Sequence, residues 1–279
     1  MLIRCWGSRG GLPVSGEEFL KFGGDTTCME VRAGSGELII IDAGSGIRSL
    51  NGLKDDKKTP VHLLFTHAHM DHIIGFPFFT PLYDETRSIK IYGYPGAVGG
   101  IKETLSQMMR DPFFPADIST LPASITYVDL KNKPFNIGSA LITPINLNHT
   151  NIGLGFRIEE NGKSFVFLTD NELSYSHPDG KSFEDYAEFC KDADLLIHDA
   201  EFNETEYQRF KGWGHSNVTD TLKLAQNSNV TRLGLFHVNS KRTDEQMDLF
   251  VKDARQKLLE AGSKIECFGV GCGFEIELG

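Results

Sequence analysis

The sequence lacks the marks of several protein classes. Its five cysteines (Cys5, Cys28, Cys190, Cys267 and Cys272) are odd in number and contain no Cys-x-x-Cys pair. That argues against a disulfide framework and reads as reduced thiols in a cytoplasmic protein. No apolar run approaches the ~20 residues that span a bilayer, so no membrane association is expected. The opening Met-Leu-Ile-Arg-Cys-Trp-Gly has no basic segment leading into an apolar stretch, and no signal peptide is expected. Basic charge is also short: 28 Lys and Arg stand against 38 Asp and Glu, a formal net charge of -10. That argues against a broad basic face for duplex nucleic acid. Histidine is scarce, nine in 279 residues, so where it concentrates is informative.

What is present is an ordinary globular composition, 40% hydrophobic and 24% charged. A chain of this length buries a large core without disulfides or structural metals. Any metal ligands are therefore expected to serve chemistry. Short apolar runs punctuated by turn residues predict strands over Leu2–Trp6, Cys28–Arg32, Leu38–Ile41, Val61–Phe65, Ile89–Tyr92, Ala140–Ile145, Gly155–Glu159, Ser164–Thr169, Leu195–Ile197, Leu233–Phe236 and Ile265–Val270. Helical spacing predicts helices over Gly99–Arg110, Phe183–Lys191, Thr219–Gln226 (capped by Asn217 or Thr219) and Asp244–Leu259. The alternation predicts one α/β domain, 1–279, with helices outside sheet. The stretch from Tyr83 to Leu121 reads as an excursion from the main sheet, either a cap over a site or a peripheral pack. With Phe113, Phe114 and several Met nearby, a homodimer contact is the third use for it.

Three of the nine histidines fall within six residues, in His67-Ala68-His69-Met70-Asp71-His72. The flanks are apolar (Leu63, Leu64 and Phe65 before, Ile73 and Ile74 after), which excludes a solvated histidine tract. Extended spacing puts His67 and His69 on one side of the chain. Asp71 and His72 turn toward a neighbouring point, so one loop can feed two adjacent metals. Imidazole and carboxylate suit zinc, with manganese or iron as alternatives. Further ligand types stand where later apolar runs stop: His149 after Leu141–Leu147, Asp170 after Phe165–Thr169, and His237 after Leu233–Phe236.

The pattern His-x-His-x-Asp-His followed by His149, Asp170 and His237 resembles the metallo-β-lactamase superfamily over nearly the whole chain. The resemblance implies a four-layer αβ/βα sandwich with two divalent metals at the edge between two sheets. It implies His67, His69 and His149 on one metal, Asp71, His72 and His237 on the other, and Asp170 bridging. In true β-lactamases of the superfamily the position of Asp170 usually carries cysteine, so aspartate points to the wider hydrolase group. Two divalent ions less Asp71, Asp170 and a bridging hydroxide leave roughly one positive charge, enough to draw a phosphate oxygen to an acidic protein.

Gly212-Trp213-Gly214-His215-Ser216 resembles ribonuclease Z and its phosphodiesterase relatives, which implies His215 as general acid and Ser216 as a substrate contact. Asp71 is implied as a catalytic group as well as a ligand. Leu196-Ile197-His198-Asp199-Ala200-Glu201 resembles another stretch of the same relatives, with His198, Asp199 and Glu201 supporting ligand or acid. Asp42 is expected to hydrogen-bond a ligand histidine or cap its turn, and Asp25-Thr26-Thr27 to line or support the site. His62 and His177 are expected to be structural or exposed. Trp6-Gly7-Ser8-Arg9-Gly10 and Phe22–Cys28 look like a branch related to cyclic-nucleotide phosphodiesterases, implying that Arg9 reaches a phosphate or ribose. The long basic, Gly-rich arm with which ribonuclease Z holds tRNA has no counterpart in the sequence. The reading is a dinuclear hydrolase of a small anionic phosphodiester, a 3′,5′-cyclic nucleotide being the leading substrate. The alternatives are a structure-selective ribonuclease, a thioester, lactone or lactam hydrolase, and a metal-dependent sensor without turnover.

Overall fold

The chain builds two seven-stranded sheets on the same plan, one from its first half with the C-terminal strand added at the edge, the other from its second half. The computed structural model describes residues 1–52, 59–94, 100–131, 133–151 and 153–279. In chain order its strands are β1 (Leu2–Gly7), β2 (Arg9–Gly10), β3 (Cys28–Arg32), β4 (Leu38–Ile41), β5 (Val61–Leu64), β6 (Ser88–Gly93), β7 (Ser124–Asp129), β8 (Phe135–Ile137), β9 (Ala140–Asn146), β10 (Leu154–Glu160), β11 (Lys163–Leu168), β12 (Leu195–Asp199), β13 (Arg232–Phe236), β14 (Val238–Asn239), β15 (Glu266–Gly269) and β16 (Glu275–Glu277). The α-helices are α1 (Met70–Ile73), α2 (Ile101–Met108), α3 (Phe183–Phe189), α4 (Glu204–Phe210), α5 (Val218–Asn227) and α6 (Asp244–Glu260). The first sheet has the order β16-β1-β3-β4-β5-β6-β7 and the second β15-β13-β12-β11-β10-β9-β8, while β14 pairs with β2 separately. In both large sheets an antiparallel part passes into a parallel one, over β4 to β7 in the first and β11, β12, β13 and β15 in the second. Parallel strands need both faces covered, and Leu38–Ile41 and Leu195–Asp199 are buried at every position.

The period-two alternation of each strand feeds two different cores. Ile39 and Ile41 of β4 join Phe156, Phe167 and Ile197 of the second sheet in a cluster between the sheets. Leu38 and Ile40 face the other way, into a cluster with Phe76, Phe79, Ile101 and Leu105. On the far side, Val166, Leu196 and Leu233 pack under Tyr186 of α3, Leu222 of α5 and Phe250 of α6. Helix, sheet, sheet, helix is the αβ/βα sandwich. All five cysteines are free. Among the described residues no helix is long and apolar enough to cross a membrane.

The excursion begins later than the sequence suggested. Ser88–Gly93 pairs with β5 and β7 inside the first sheet, so the peripheral part follows β6. Its helix α2 covers Ile101–Met108; the expected start at Gly99 lies outside the described residues. Ile101, Leu105 and Met109 pack on the outer face of the first sheet. Strands β2, β8, β14 and β16, of two or three residues, are additional to the expected elements, as are strand β7 and helix α4. Even β7 and α4, of six and seven residues, are too short for periodicity to stand out from its surroundings. Asn217, not Thr219, caps α5 by accepting from the Asp220 amide.

Candidate metal centre

Strand ends of both sheets deliver the candidate ligands to one edge. Asp42 follows β4, Asp170 lies two residues beyond β11, and His237 follows β13; their φ values are +63°, +52° and +57°. Residues other than glycine rarely adopt this left-handed region, at a cost of about 1–3 kcal/mol each. The sharp turn is held in place at Asp42, whose carboxylate accepts from the Thr66 amide (2.8 Å) and hydroxyl (2.7 Å). The His67–His72 run leaves β5 and enters α1, as its spacing implied.

Two tetrads result. His67, His69, His149 and Asp170 each offer one ligand atom, all within 4.8 Å of one another, and so do Asp71, His72, Asp170 and His237. Asp170 belongs to both. In the first tetrad His149 Nε2 lies 3.1 Å from His69 Nδ1, and Asp170 Oδ1 lies 3.7 Å from His67 Nε2 and 3.9 Å from His149 Nε2. In the second, His237 Nε2 is 3.3 Å from both Asp71 Oδ2 and Asp170 Oδ1, and His72 Nε2 is 3.3 Å from Asp170 Oδ2. Tetrahedral coordination at about 2.0–2.1 Å sets ligand atoms roughly 3.3 Å apart. The Nε2 atoms of His67 and His72 are buried without a hydrogen-bond partner among the described residues. A buried polar atom left so is costly unless something else occupies its lone pair. The donor set therefore fits two divalent cations.

The far side of four of the five imidazoles, all but His69, is already engaged, which fixes their orientation and tautomer. His72 Nδ1 meets Asp42 Oδ2 at 2.8 Å, His149 Nδ1 the Gly214 carbonyl at 2.8 Å, His237 Nδ1 Glu201 Oε2 at 3.1 Å, and His67 Nδ1 the Thr66 hydroxyl at 3.1 Å. Asp71 Oδ2 accepts from the Gly11 amide (2.8 Å). Burial and neighbouring imidazoles push His67 and His69 down, and burial above all takes His149 to about 3. These three are neutral, the state a ligand needs. Burial alone would also lower His72 and His237, but Asp170 and Asp71 outweigh it and raise both. In turn burial would raise Asp71 and Asp170, and the facing imidazoles hold them below the carboxylate range. The metal-free site therefore collects protons that entering cations would displace.

His215 stands beside this pair, its ring stacked 4.6 Å from that of His237. Its Nδ1 donates to Asp199 Oδ2 at 2.9 Å, with Glu201 Oε2 at 3.6 Å. Burial lowers an imidazole, yet Asp199 and Glu201 together raise His215 to about 9. His69, Asp71, Asp170, His215 and His237 open on a cleft of about 560 Å³. Its outer wall carries Phe202, Phe210 and Trp213, with Arg209 and Lys241 at the rim.

Two expected substrate contacts point elsewhere. Arg9 is fully buried and donates to the carbonyls of Gly23, Asn239 and Arg242, bracing β2 against the segment after β14. Ser216 is buried, donating to the Asn171 carbonyl and accepting from the Leu173 amide. Its neighbour His215 takes the cleft. His198 touches no ligand side chain; it contacts Asn171 Nδ2 (3.1 Å) and the Asp199 carbonyl (2.6 Å). Asp199 hydrogen-bonds His215 and no side chain of either tetrad, and Glu201 contacts both His237 and His215. Asp25 supports the Ser45 turn through that hydroxyl and Arg48. His62 is buried against the Tyr92 hydroxyl (2.8 Å), and His177 against Glu172 (2.8 Å). Glu172 was not anticipated, although a carboxylate two residues past Asp170 was a signal available in the sequence.

Comparison with known proteins agrees with this geometry. The family model for the beta-lactamase superfamily domain matches residues 38–238. Ribonuclease Z of Haloferax volcanii is 24% identical, the match covering 83% of this chain and 86% of that protein. Among solved structures, the metallo-beta-lactamase fold protein YhfI from Bacillus subtilis superposes with a TM-score of 0.72 at 18% identity, covering 99% of both chains. Yeast PDE1 superposes with a TM-score of 0.73 at 14% identity, also covering 99% of both. With its sandwich fold, its two histidine–aspartate tetrads and this match over most of its length, the chain belongs to the metallo-β-lactamase superfamily of metal-dependent hydrolases.

Proposed function

We propose that the protein hydrolyses small phosphodiesters, with 3′,5′-cyclic nucleotides the leading substrates, and that its metals are two zinc ions. The observation that carries this reading is the His215–Asp199 pair on the cleft shared by both tetrads. An alkoxide leaving from phosphorus gains from an acid placed to protonate it, typically ~10²–10⁴-fold. His67, His69, His149 and Asp170 would hold one ion, and Asp71, His72, His237 and Asp170 the other. Bound there, the pair supplies water activation near neutral pH and charge neutralisation at phosphorus. The all-nitrogen-and-oxygen donor set suits zinc and also admits manganese or iron.

The chain's own groups do the rest. Asp199 accepts a hydrogen bond from Nδ1–H of His215 and favours the charged ring, leaving Nε2–H to protonate the departing oxygen. Asp71 anchors the Gly11 amide and faces His237, so one carboxylate ties β2 to the second tetrad. Phe210, backed by the buried Phe202, and Trp213 offer flat apolar area to a base, and Arg209 and Lys241 offer charge to a phosphate. These features favour a nucleotide over a simple alkyl diester.

Zinc- or manganese-loaded protein should turn over bis(p-nitrophenyl) phosphate, cyclic AMP or cyclic GMP in preference to a lactone or a β-lactam. Absence of turnover on every phosphodiester would remove the reading, and binding without turnover would leave a sensor. A structure-selective ribonuclease is the second reading, favoured by the likeness to a protein named ribonuclease Z. Cleavage of a tRNA precursor at a rate above that of the cyclic nucleotides would establish it instead.

A further inference from the structure

Glu172 is fully buried, yet its carboxylate belongs to neither tetrad. Four donors converge on it. Oε1 accepts from the Tyr207 hydroxyl and the Gly212 amide, each at 2.7 Å. Oε2 accepts from the Gly214 amide at 2.7 Å and from His177 Nε2 at 2.8 Å. The two amides flank Trp213 in a turn where Gly212 and Gly214 have φ of +86° and +93°. Successive amides in such a turn form a concave site for an anion, and here the anion is supplied by the chain itself.

The turn so held has three functional products. The Gly214 carbonyl accepts from His149 Nδ1 and orients a ligand of the first tetrad. His215, the next residue, faces Asp199. Trp213, 63% exposed, stands on the cleft wall. Gly214 has no substitute in this arrangement, since a Cβ there would lie 2.0 Å from His149 Nδ1. Glu172 is also tied at its backbone to the loop before His149, its amide donating to the Asn148 carbonyl at 2.8 Å.

We propose that Glu172 is a positioning residue for the reaction: its carboxylate, seated in the Gly212–Gly214 turn, sets the places of His215, of Trp213 and of the carbonyl that orients His149. The part concerning His215 rests on its reading as the acid. The chemistry of the seat makes the proposal sharp. Each oxygen takes two donors, so an amide in place of the carboxylate must turn its NH2 toward two of them. Glu172→Gln therefore cannot keep both Gly212 and Gly214, although its shape is unchanged.

The test uses zinc-loaded protein in a Trp6→Phe background, where Trp213 is the remaining tryptophan. Displacing a catalytic group by about 1 Å can cost ~10² in rate. Glu172→Gln should lower kcat on an alkyl-leaving phosphodiester at least about 10-fold, with KM within about 3-fold. On bis(p-nitrophenyl) phosphate, whose leaving group needs no acid, the loss should be smaller. Trp213 fluorescence anisotropy should fall, and His149-side metal should dissociate faster to a chelator. Unchanged anisotropy and unchanged metal release would overturn the proposal. If Glu172→Gln does not fold, Glu172→Asp keeps the charge but is too short to span both amides, and the same pattern is expected. A His215→Ala variant with full activity would refute the acid reading alone, because anisotropy and metal release judge Glu172 without it.

Discussion

Asp199→Asn tests the acid directly. Asp199 Oδ2 accepts from His215 Nδ1 at 2.9 Å and, with Glu201, raises that imidazole from 6.5 to about 9. At pH 8 an imidazole titrating near 9 is about 90% protonated, whereas one at the ordinary value is about 3% protonated. If kcat follows the protonated fraction, the substitution costs up to about 30-fold at pH 8 and less than about 2-fold at pH 6. Thirtyfold is the upper limit because Glu201 stays and keeps part of the rise. The measurement is kcat against pH from 5.5 to 9.5, for a cyclic nucleotide and for bis(p-nitrophenyl) phosphate. The variant's activity should fall at a lower pH than the wild type's, on the cyclic nucleotide above all. A deficit of equal size at every pH and on both substrates would refute the reasoning and reduce Asp199 to a structural support of the turn.

Asp170→Ala removes the carboxylate common to both tetrads, so elemental analysis should find both ions lost together; retention of two tightly bound ions would contradict the shared role. Asp42→Asn exchanges the acceptor behind His72 Nδ1 for an amide and should weaken metal affinity about 10–100-fold in a chelator competition, with the fold retained by circular dichroism. His62 provides a pH effect away from the metals. Burial and then Lys90 lower its folded pKa to about 4, so the unfolded chain takes up the proton first as pH falls. Its stabilising effect is complete above about 6.5 and is lost as pH drops toward 4. In His62→Gln the melting temperature should therefore fall less steeply between pH 7 and pH 5 than in the wild type.

The ligands were legible because they sit where chain-local rules operate. His67, His69, Asp71 and His72 are neighbours in sequence, and their spacing at a strand-to-helix junction determines which way each side chain turns. His149, Asp170 and His237 each stand just beyond an apolar strand, a position visible from hydrophobic pattern alone. Arg9 and Ser216 were misjudged for the opposite reason. Both lie in motif-like loops, and whether such a side chain faces a cleft or the interior depends on which carbonyls are nearby. For Arg9 those belong to Gly23, Asn239 and Arg242, up to 233 residues away. Helix α4 escaped the sequence reading because its seven residues span barely two turns, and with it went Phe210 and Arg209 of the cleft wall.

The sequence by itself therefore determined alternating strands and helices and seven candidate oxygen and nitrogen ligands, and its resemblance to a known superfamily implied the sandwich of two sheets. Tertiary structure alone decided how those ligands are served. It paired His215 with Asp199 across 16 residues, His72 with Asp42 across 30, and Glu172 with Gly214 across 42. Ligand identity is a property of residue type and local spacing, which the chain carries in one dimension. The orientation, charge and support of each ligand come from buried hydrogen bonds between strand ends, and those partners are set only when the two sheets pack.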